Sequence, residues 1–208
     1  MKIKSQYIKP KFKKEFNPKV GLLALTTDLT IEKDFNSILN QLPIDVFVNR
    51  IHNENPLTNE NLLKMRDQIE GVAEKILPGE KINTVAYGCT SGTIAIGEDN
   101  VKKKIQLAKP ECYVTTPITS AIKAFKIMNI KKIAVFTPYP DSVNKTIYEY
   151  FSKKNIDVLS FGTFNLNLDA DFANIDPKYL SETLTKLDTN GSDALFISCT
   201  ALPALEIL

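Results

Sequence analysis

Short apolar runs alternate with helical patterns along almost the whole chain, and this order is the feature that most constrains the fold. Continuous apolar runs such as residues 19–27 and 132–137 are typical of parallel strands that are covered on both faces. The segments between such runs carry apolar residues three or four positions apart, which predicts helices. Regular alternation of strand and helix predicts an α/β fold with mainly parallel sheets flanked by helices.

The pattern gives approximate bounds for each element. Strands are predicted over residues 19–27, 44–49, 84–87, 112–115, 132–137, 156–161 and 194–198. Helices are predicted over residues 30–41, 58–77, 93–105, 119–128, 141–154 and 177–187. The helix over 93–105 is expected to continue through Gly97, and residues 162–176 are expected to form a polar linker.

The two halves of the chain resemble each other, at an offset of 110 to 113 residues. Three landmarks recur in chain order: Val20 as Ile133, Ile44-Asp45-Val46 as Ile156-Asp157-Val158, and Gly88-Cys89-Thr90 as Ser198-Cys199-Thr200. This repeat predicts two pseudo-symmetric Rossmann-like domains over residues 20–116 and 117–208, after a basic extension over residues 1–19. A pseudo-twofold axis would bring both Cys-Thr turns to one interdomain cleft, where the active site is expected.

Composition argues against several other classes of protein. Three cysteines without an apolar leader segment favour reduced thiols over a disulfide framework. A single histidine, His52, and the lack of a CxxC pair argue against a zinc site. Seven lysines fall in residues 1–19, up to the start of the first strand, so they do not form the folded basic face that nucleic-acid binding requires. No apolar run is long enough to span a bilayer, and the chain is expected to be cytoplasmic, without nucleic-acid or membrane partners.

Each Cys-Thr pair directly follows a predicted strand, at the position where open α/β sheets bind ligands. Backbone N–H groups at such a turn favour a substrate carboxylate and are expected to ease the ionisation of a thiol. Hydroxyl groups of Thr90, Ser91 and Thr200 would add hydrogen-bond donors. Two thiols, Cys89 and Cys199, on opposite sides of a substrate carbon could exchange protons as in a racemase, or add to a double bond as in a cis–trans isomerase.

A structural role is the alternative for each cysteine, because free cysteines are among the most buried residues. Cys112 lies inside a predicted strand without glycine or hydroxyl neighbours, and is interpreted as a core residue. The repeat gives Cys89 and Cys199 a functional interpretation instead. The turn at Gly88 lacks the lysine of a P-loop, and neither cysteine is followed six positions later by the arginine of a phosphatase loop.

Five motifs occur in order, in residues 20–28, 50–65, 87–93, 137–139 and 198–202. Together they resemble the maleate isomerase and arylmalonate decarboxylase family of the aspartate/glutamate/hydantoin racemase superfamily, and are most similar to its ectoine-utilisation branch. The resemblance spans about residues 20–208 and implies a cofactor-independent, metal-free isomerase or racemase for a small carboxylate substrate. It implies Cys89 as nucleophile or base, Cys199 as proton carrier, and a carboxylate pocket lined by Thr90, Ser91, Tyr139 and Thr200.

The sequence departs from this family at two places. Maleate isomerases have an asparagine where this chain has Asp28, so a zwitterionic or amidine-bearing substrate, such as an ectoine-type solute, is expected to suit the pocket better than a dicarboxylate. Family members also continue past the second Cys-Thr turn with a further helix, strand and helix. Either the chain is a fragment or a partner supplies the cover of the missing elements. A homodimer is the expected assembly, as a common arrangement of soluble homo-oligomers.

Two other functions remain open from the sequence. Arylmalonate decarboxylases resemble this chain but lack a cysteine at the position of Cys89, so a decarboxylase or other carbon–carbon lyase would depend mainly on Cys199. A non-catalytic carboxylate-binding protein would close its two lobes around a ligand without converting it.

Overall fold

Residues 6–207 are described by the structure, which is a computed structural model. Residues 6–18 contain no helix or strand, and the aromatic side chains of Tyr7, Phe12 and Phe16 in this segment are exposed. Expectations that concern residues 1–5, within the basic extension, and residue 208 lie outside the described residues.

Strands and helices alternate from residue 19 onwards. The strands are β1 (Lys19–Leu25), β2 (Asp45–Ile51), β3 (Thr84–Tyr87), β4 (Tyr113–Thr115), β5 (Lys132–Thr137), β6 (Asp157–Thr163) and β7 (Ala194–Ile197). The α-helices are α1 (Ile31–Leu39), α2 (Asn59–Lys64), α3 (Ile69–Glu74), α4 (Thr90–Ile96), α5 (Glu98–Ala108), α6 (Pro117–Ile127), α7 (Asp141–Lys153), α8 (Asp169–Ala173) and α9 (Pro177–Thr185). Short 3-10 helices cover Met65–Asp67 and Ala204–Ile207.

The strands form two parallel sheets, with strand orders β2-β1-β3-β4 and β6-β5-β7. In each sheet the strand that comes first in sequence lies between the second and the third. Equivalent residues also pair in equivalent ways: Val20 with Val46 and Thr84, and Ile133 with Val158 and Ala194. The predicted α/β fold with parallel sheets is therefore confirmed, and each sheet with its helices is called a lobe below.

Two of the predicted helices are interrupted. The segment predicted as one helix over residues 58–77 is divided by the 3-10 turn at Met65–Asp67. The segment over 93–105 begins earlier than predicted and is divided at Gly97, whose φ of 91° is a conformation that glycine adopts without the strain a side chain would add. As a result, α4 is a short helix that begins immediately after Cys89.

Residues 162–176, predicted as a polar linker, contain the end of β6 and the five-residue helix α8. The prediction of a linker is therefore wrong for this segment. A helix of one turn is too short to show a hydrophobic period, and Asp169 and Asp171 make its first turn appear polar.

A continuous apolar core joins the two lobes. Three phenylalanine rings form its second-lobe part, with ring centroids 5.3 Å apart between Phe151 and Phe196 and 6.0 Å apart between Phe125 and Phe196. The same buried cluster includes Val85 and Tyr87 of the first sheet. The lobes therefore share buried apolar surface, which opposes their separation.

Within residues 6–207, no helix is both long enough and apolar enough to span a bilayer.

Removal of the Phe151 ring tests the shared core. We expect Phe151→Ala to lower the free energy of unfolding by about 3–5 kcal/mol, because Phe151 is fully buried and its removal leaves a cavity in the core. Tyr148→Ala is the control on the same helix, since that side chain is 52% exposed, and it should cost about 0.5 kcal/mol or less. Urea unfolding measures both, and equal small losses would contradict a core centred on Phe151.

Candidate active site

Four strand ends meet at one place between the lobes. Asp28 and Cys89 follow β1 and β3 of the first sheet, and Tyr139 and Cys199 follow β5 and β7 of the second. In the first sheet β1 and β3 connect to strands on opposite sides, β2 and β4, which leaves a crevice at their carboxyl ends, and β5 and β7 are the equivalent neighbouring pair of the second sheet. The equivalent crevices of the two lobes face each other and enclose one cavity.

The cavity wall contains all seven residues that the sequence nominated: Asp28, Cys89, Thr90, Ser91, Tyr139, Cys199 and Thr200. The remaining lining residues are Leu25, Leu57, Asp169 and Ala201. The free volume is about 10 Å³, which is room for about one water molecule. A four-carbon substrate therefore enters only when lining groups move apart.

Cys89 is held at the N-terminus of α4. Its sulfur accepts a hydrogen bond from the Gly92 backbone N–H at 3.2 Å and lies 3.7 Å from the Ser91 hydroxyl. The Thr93 hydroxyl donates to the Cys89 carbonyl at 2.6 Å, which fixes the backbone at the turn. The Gly92 N–H donates to the sulfur and the Ser91 hydroxyl can donate to it, so this turn can stabilise a sulfur anion once it forms.

Gly92 has no space for a side chain. A Cβ at this position would lie 2.9 Å from the Cys89 sulfur, the Met65 methyl group and the Tyr87 hydroxyl. Tyr87 belongs to β3, Cys89 to the turn that follows it, and Met65 to the 3-10 helix that packs against both. Close packing of backbone and sulfur therefore requires glycine here.

Cys199 occupies a strained turn. Its φ of 110° lies in the left-handed region, which costs a residue with a Cβ on the order of 1–3 kcal/mol. Its pseudo-equivalent, Cys89, has a φ of −145° and no such strain. The two turns are therefore similar in sequence but differ in backbone conformation.

Burial keeps both thiols protonated. Desolvation raises the pKa of Cys89 to about 12, and the hydrogen bonds from Gly92 and Ser91 offset this only in part. The pKa of Cys199 is also raised by burial and by the charge of Asp169, while Tyr139 acts in the opposite direction. The prediction that the turn would ease ionisation is therefore wrong for the closed cavity, because desolvation outweighs the hydrogen bonds.

Asp28 is a structural carboxylate, although it lines the cavity. It is 1% exposed, and its Oδ1 accepts hydrogen bonds from the backbone N–H groups of Thr30 (2.8 Å) and Ile31 (2.9 Å) at the start of α1. Its Oδ2 accepts from the Thr200 hydroxyl at 2.9 Å. The Thr200 oxygen also lies 3.1 Å from the Gly88 carbonyl oxygen, so this side chain joins the second lobe to the first.

Asp169, which sequence reasoning missed, is the second carboxyl of the cavity. It begins α8, is 5% exposed, and its Oδ2 accepts hydrogen bonds from the Asn53 amide (2.8 Å) and the Thr27 hydroxyl. Burial raises the pKa of this carboxyl. The apolar residues Leu166 and Phe172 on either side of it could have indicated a buried turn.

The other nominated or rejected residues lie apart from this cavity. Cys112 is buried in the core, as interpreted from the sequence, and His52 is exposed after β2. Within residues 6–207, no group of three or more His, Cys, Asp or Glu side chains is placed to hold a metal ion.

The protein is therefore a two-lobed α/β protein with a paired-thiol site. Each lobe contributes one cysteine to the closed cavity between them. The family model described as arylmalonate decarboxylase matches residues 61–208. The chain belongs to this family.

Individual relatives agree with this membership. The maleate isomerase of Geobacillus stearothermophilus is 23% identical over 206 residues, which cover 91% of this chain and 81% of that protein. The crystal structure of a maleate isomerase from Pseudomonas putida S16 with maleate has a TM-score of 0.82 at 18% identity, covering 91% of this chain and 80% of that one. A mutant maleate cis-trans isomerase of Nocardia farcinica with a covalently bound succinylcysteine intermediate has a TM-score of 0.81 at 16% identity, covering 90% and 80%.

Substitution of Gly92 tests the packing around Cys89. We expect Gly92→Ala to destabilise the protein by about 1–3 kcal/mol, since the added methyl group overlaps the sulfur and two buried side chains. Gly71→Ala in α3 is the matched control: nothing lies within 4 Å of its added Cβ, and the change should stabilise by about 0.5–1 kcal/mol. Thermal or urea unfolding compares the two, and a Gly92→Ala protein as stable as wild type would refute the tight packing.

The raised pKa of Asp169 predicts a pH-dependent stability. As pH falls from 7 through the folded-state pKa, the folded protein binds a proton before the unfolded chain does, so wild type gains stability. Asp169→Asn lacks this titration and keeps an acceptor for Asn53 and Thr27. We therefore expect the variant to be more stable than wild type at pH 7, by about 1.4 kcal/mol for each unit by which folding raises the pKa, and this advantage to shrink towards pH 4.

Urea unfolding at a series of pH values measures this difference. Asp171→Asn on the same helix controls for the loss of an exposed carboxyl group. An advantage of Asp169→Asn that stays constant between pH 7 and pH 4 would show that the Asp169 carboxyl is not perturbed.

Proposed function

We propose that this protein is a cofactor-independent isomerase or racemase for a small carboxylate, and that Cys89 and Cys199 carry out the reaction from opposite lobes. The observation that carries the proposal is that two cysteines from equivalent turns of the repeated sheets line one closed cavity. Structural cysteines have no reason to meet at the carboxyl ends of equivalent strands in both sheets, where α/β proteins bind ligands.

The arrangement supports an addition and elimination sequence. The Cys89 thiolate forms a bond to one carbon of a double bond, and the electron pair moves to the neighbouring carbon, next to a carboxylate. Cys199 donates its proton there, and the new single bond can rotate. Cys199 then removes the proton, the carbon–sulfur bond breaks, and the double bond returns in the other geometry. The Gly92 N–H and the Ser91 hydroxyl stabilise the anionic sulfur at both ends of this sequence.

Proton exchange without covalent addition is the racemase version of the same proposal. One thiolate removes a proton from the substrate carbon and the other thiol donates one on the opposite face. Both versions need one thiol to ionise although burial raises both pKa values. Opening of the cavity to admit substrate removes part of that desolvation, so substrate entry and thiol ionisation are coupled.

The relatives favour the isomerase version. Those reported above are named maleate isomerases, and the Nocardia farcinica structure holds a succinyl group on a cysteine, as thiol addition to a double bond would produce. The motif resemblance to the ectoine-utilisation branch adds amidine-bearing solutes to the substrates that need testing.

Decarboxylation is the second candidate, because the family model that matches residues 61–208 is described as arylmalonate decarboxylase. In that reaction Cys199 alone would protonate the carbanion that remains after carbon dioxide leaves. The strained backbone at Cys199 favours a functional role for that thiol under either candidate.

Deuterium exchange separates these functions. We expect wild type in heavy water to isomerise, or to place deuterium into, one compound of a panel that contains maleate, amino acids and amidine-bearing solutes. Cys89→Ser and Cys199→Ser should each lower the rate by about a hundredfold or more, because each removes either the nucleophile or a proton-transfer group. NMR and mass spectrometry follow both conversions, and Cys112→Ala is the control because Cys112 lies in the core outside the cavity.

Two other outcomes would indicate a different function. Loss of activity only in Cys199→Ser, with release of carbon dioxide from a malonate, would select the decarboxylase. Saturable binding without turnover that survives both cysteine changes would select a binding protein and reject the two-thiol proposal.

A further inference from the structure

The charges that face the cavity are all acidic. Asp28 and Asp169 are both buried in its wall, and burial leaves the two thiols protonated. Among the described residues that line the cavity, none is lysine, arginine or histidine. A dicarboxylate that entered would bring two further negative charges into a space without a side-chain cation to balance them.

Arg50, which contacts the loop after β1 from outside the cavity wall, is already balanced. Nη1 of Arg50 lies behind the loop after β1 and donates to the backbone carbonyl oxygens of Leu25 and Asp28, at 3.0 and 2.9 Å. Its Nη2 forms an ion pair with Glu32 at 2.5 Å. Arg50 therefore contacts backbone and a partner carboxylate, and its charge is not available to a ligand.

The two buried carboxyls differ in what they can still bind. Both oxygens of Asp28 accept hydrogen bonds, from the start of α1 and from Thr200. In Asp169 only Oδ2 accepts hydrogen bonds, from Asn53 and Thr27, and within residues 6–207 no donor contacts Oδ1. Asp169 is 5% exposed and lines the cavity, so Oδ1, which no donor in residues 6–207 contacts, is the carboxyl oxygen left for a ligand.

We propose that Asp169 Oδ1 binds a positively charged group of the substrate, so that the site selects a small carboxylate with an ammonium or amidinium group over a dicarboxylate. This inference rests on the proposed function, because it assumes that the thiol-lined cavity is the substrate site. It assigns a specificity role to Asp169 rather than to Asp28, whose oxygens are occupied.

The opposite end of such a substrate also finds partners in the wall. The Ser91 hydroxyl and the Thr90 hydroxyl line the same cavity and can donate to the substrate carboxylate. A bound cation would also stabilise the charged form of Asp169, which burial disfavours in the closed cavity. The ligand charge and the carboxylate charge thus compensate each other inside a desolvated site.

A matched pair of ligands tests this selection. Maleate and cis-4-aminobut-2-enoate have the same four-carbon chain and cis double bond. In the amino compound, a positively charged aminomethyl group stands in place of one carboxylate of maleate. We expect calorimetric titration of wild type to show about tenfold or tighter binding of the amino compound, since one ligand meets Asp169 with attraction and the other with repulsion. Asp169→Asn should remove this preference or reverse it.

Two further variants make the result specific. Asp171→Asn removes an exposed carboxyl from the same helix, and the preference should change by less than about twofold. Asp169→Ser removes the charge with a smaller side chain, and must shift the preference in the same direction as Asp169→Asn if charge is the cause. Unfolding curves confirm that each variant is folded.

The outcomes separate this proposal from the proposed function. Equal or tighter binding of maleate by wild type, no binding of the amino compound at about 1 mM, or an unchanged preference in both Asp169 variants overturns the role of Asp169. Proton NMR of the same samples reports cis–trans isomerisation independently. If maleate is isomerised but the Asp169 variants keep the wild-type ligand preference, the two-thiol reaction stands and the role of Asp169 is rejected. If the Asp169 variants reverse the preference but no ligand is converted, the role of Asp169 is supported and the reaction is rejected.

Discussion

The hydrogen bonds around Asp28 hold the two halves of the site together. Its carboxylate satisfies two backbone donors at the start of α1 and accepts from Thr200 of the other lobe. A second crossing contact, from the Thr30 hydroxyl to the Ala201 carbonyl oxygen at 3.0 Å, lies beside it. The turn that carries Cys199 is thereby fixed against the first sheet, and the distance between the two thiol-bearing turns depends on this junction.

Burial then sets the chemistry that this junction permits. A cavity with room for about one water molecule raises the pKa of both thiols and of Asp169, so burial disfavours the anionic form of all three groups and keeps the thiols protonated. The hydrogen-bond donors at the Cys89 sulfur can stabilise a thiolate only when the site opens to water, or when a ligand offsets the desolvation of the thiol. Reactivity is consequently tied to ligand entry, and unproductive reactions of an exposed thiolate are avoided.

Much of the fold follows from periodicity, because buried parallel strands leave continuous apolar runs in the sequence. All seven predicted strands correspond to strands within one or two residues at most ends, and β3 and β5 match completely. The predicted elements are wrong at places where the local sequence does not specify the backbone geometry. Gly97 is compatible with a continuous helix but adopts a positive φ, and α8 is too short for its period to be recognised.

The sequence by itself determined the chemical groups and their places in the repeat: Cys89 and Cys199 follow equivalent strands because the chain is duplicated, and strand ends are where α/β sheets expose functional groups. Only the tertiary structure decided what those groups experience. Desolvation, the hydrogen bond from Thr200 to Asp28, and the arrival of Asp169 from a segment predicted as a linker all depend on contacts between residues far apart in sequence. Such contacts leave no local pattern, so charge balance and acidity in the cavity had to be read from the folded protein.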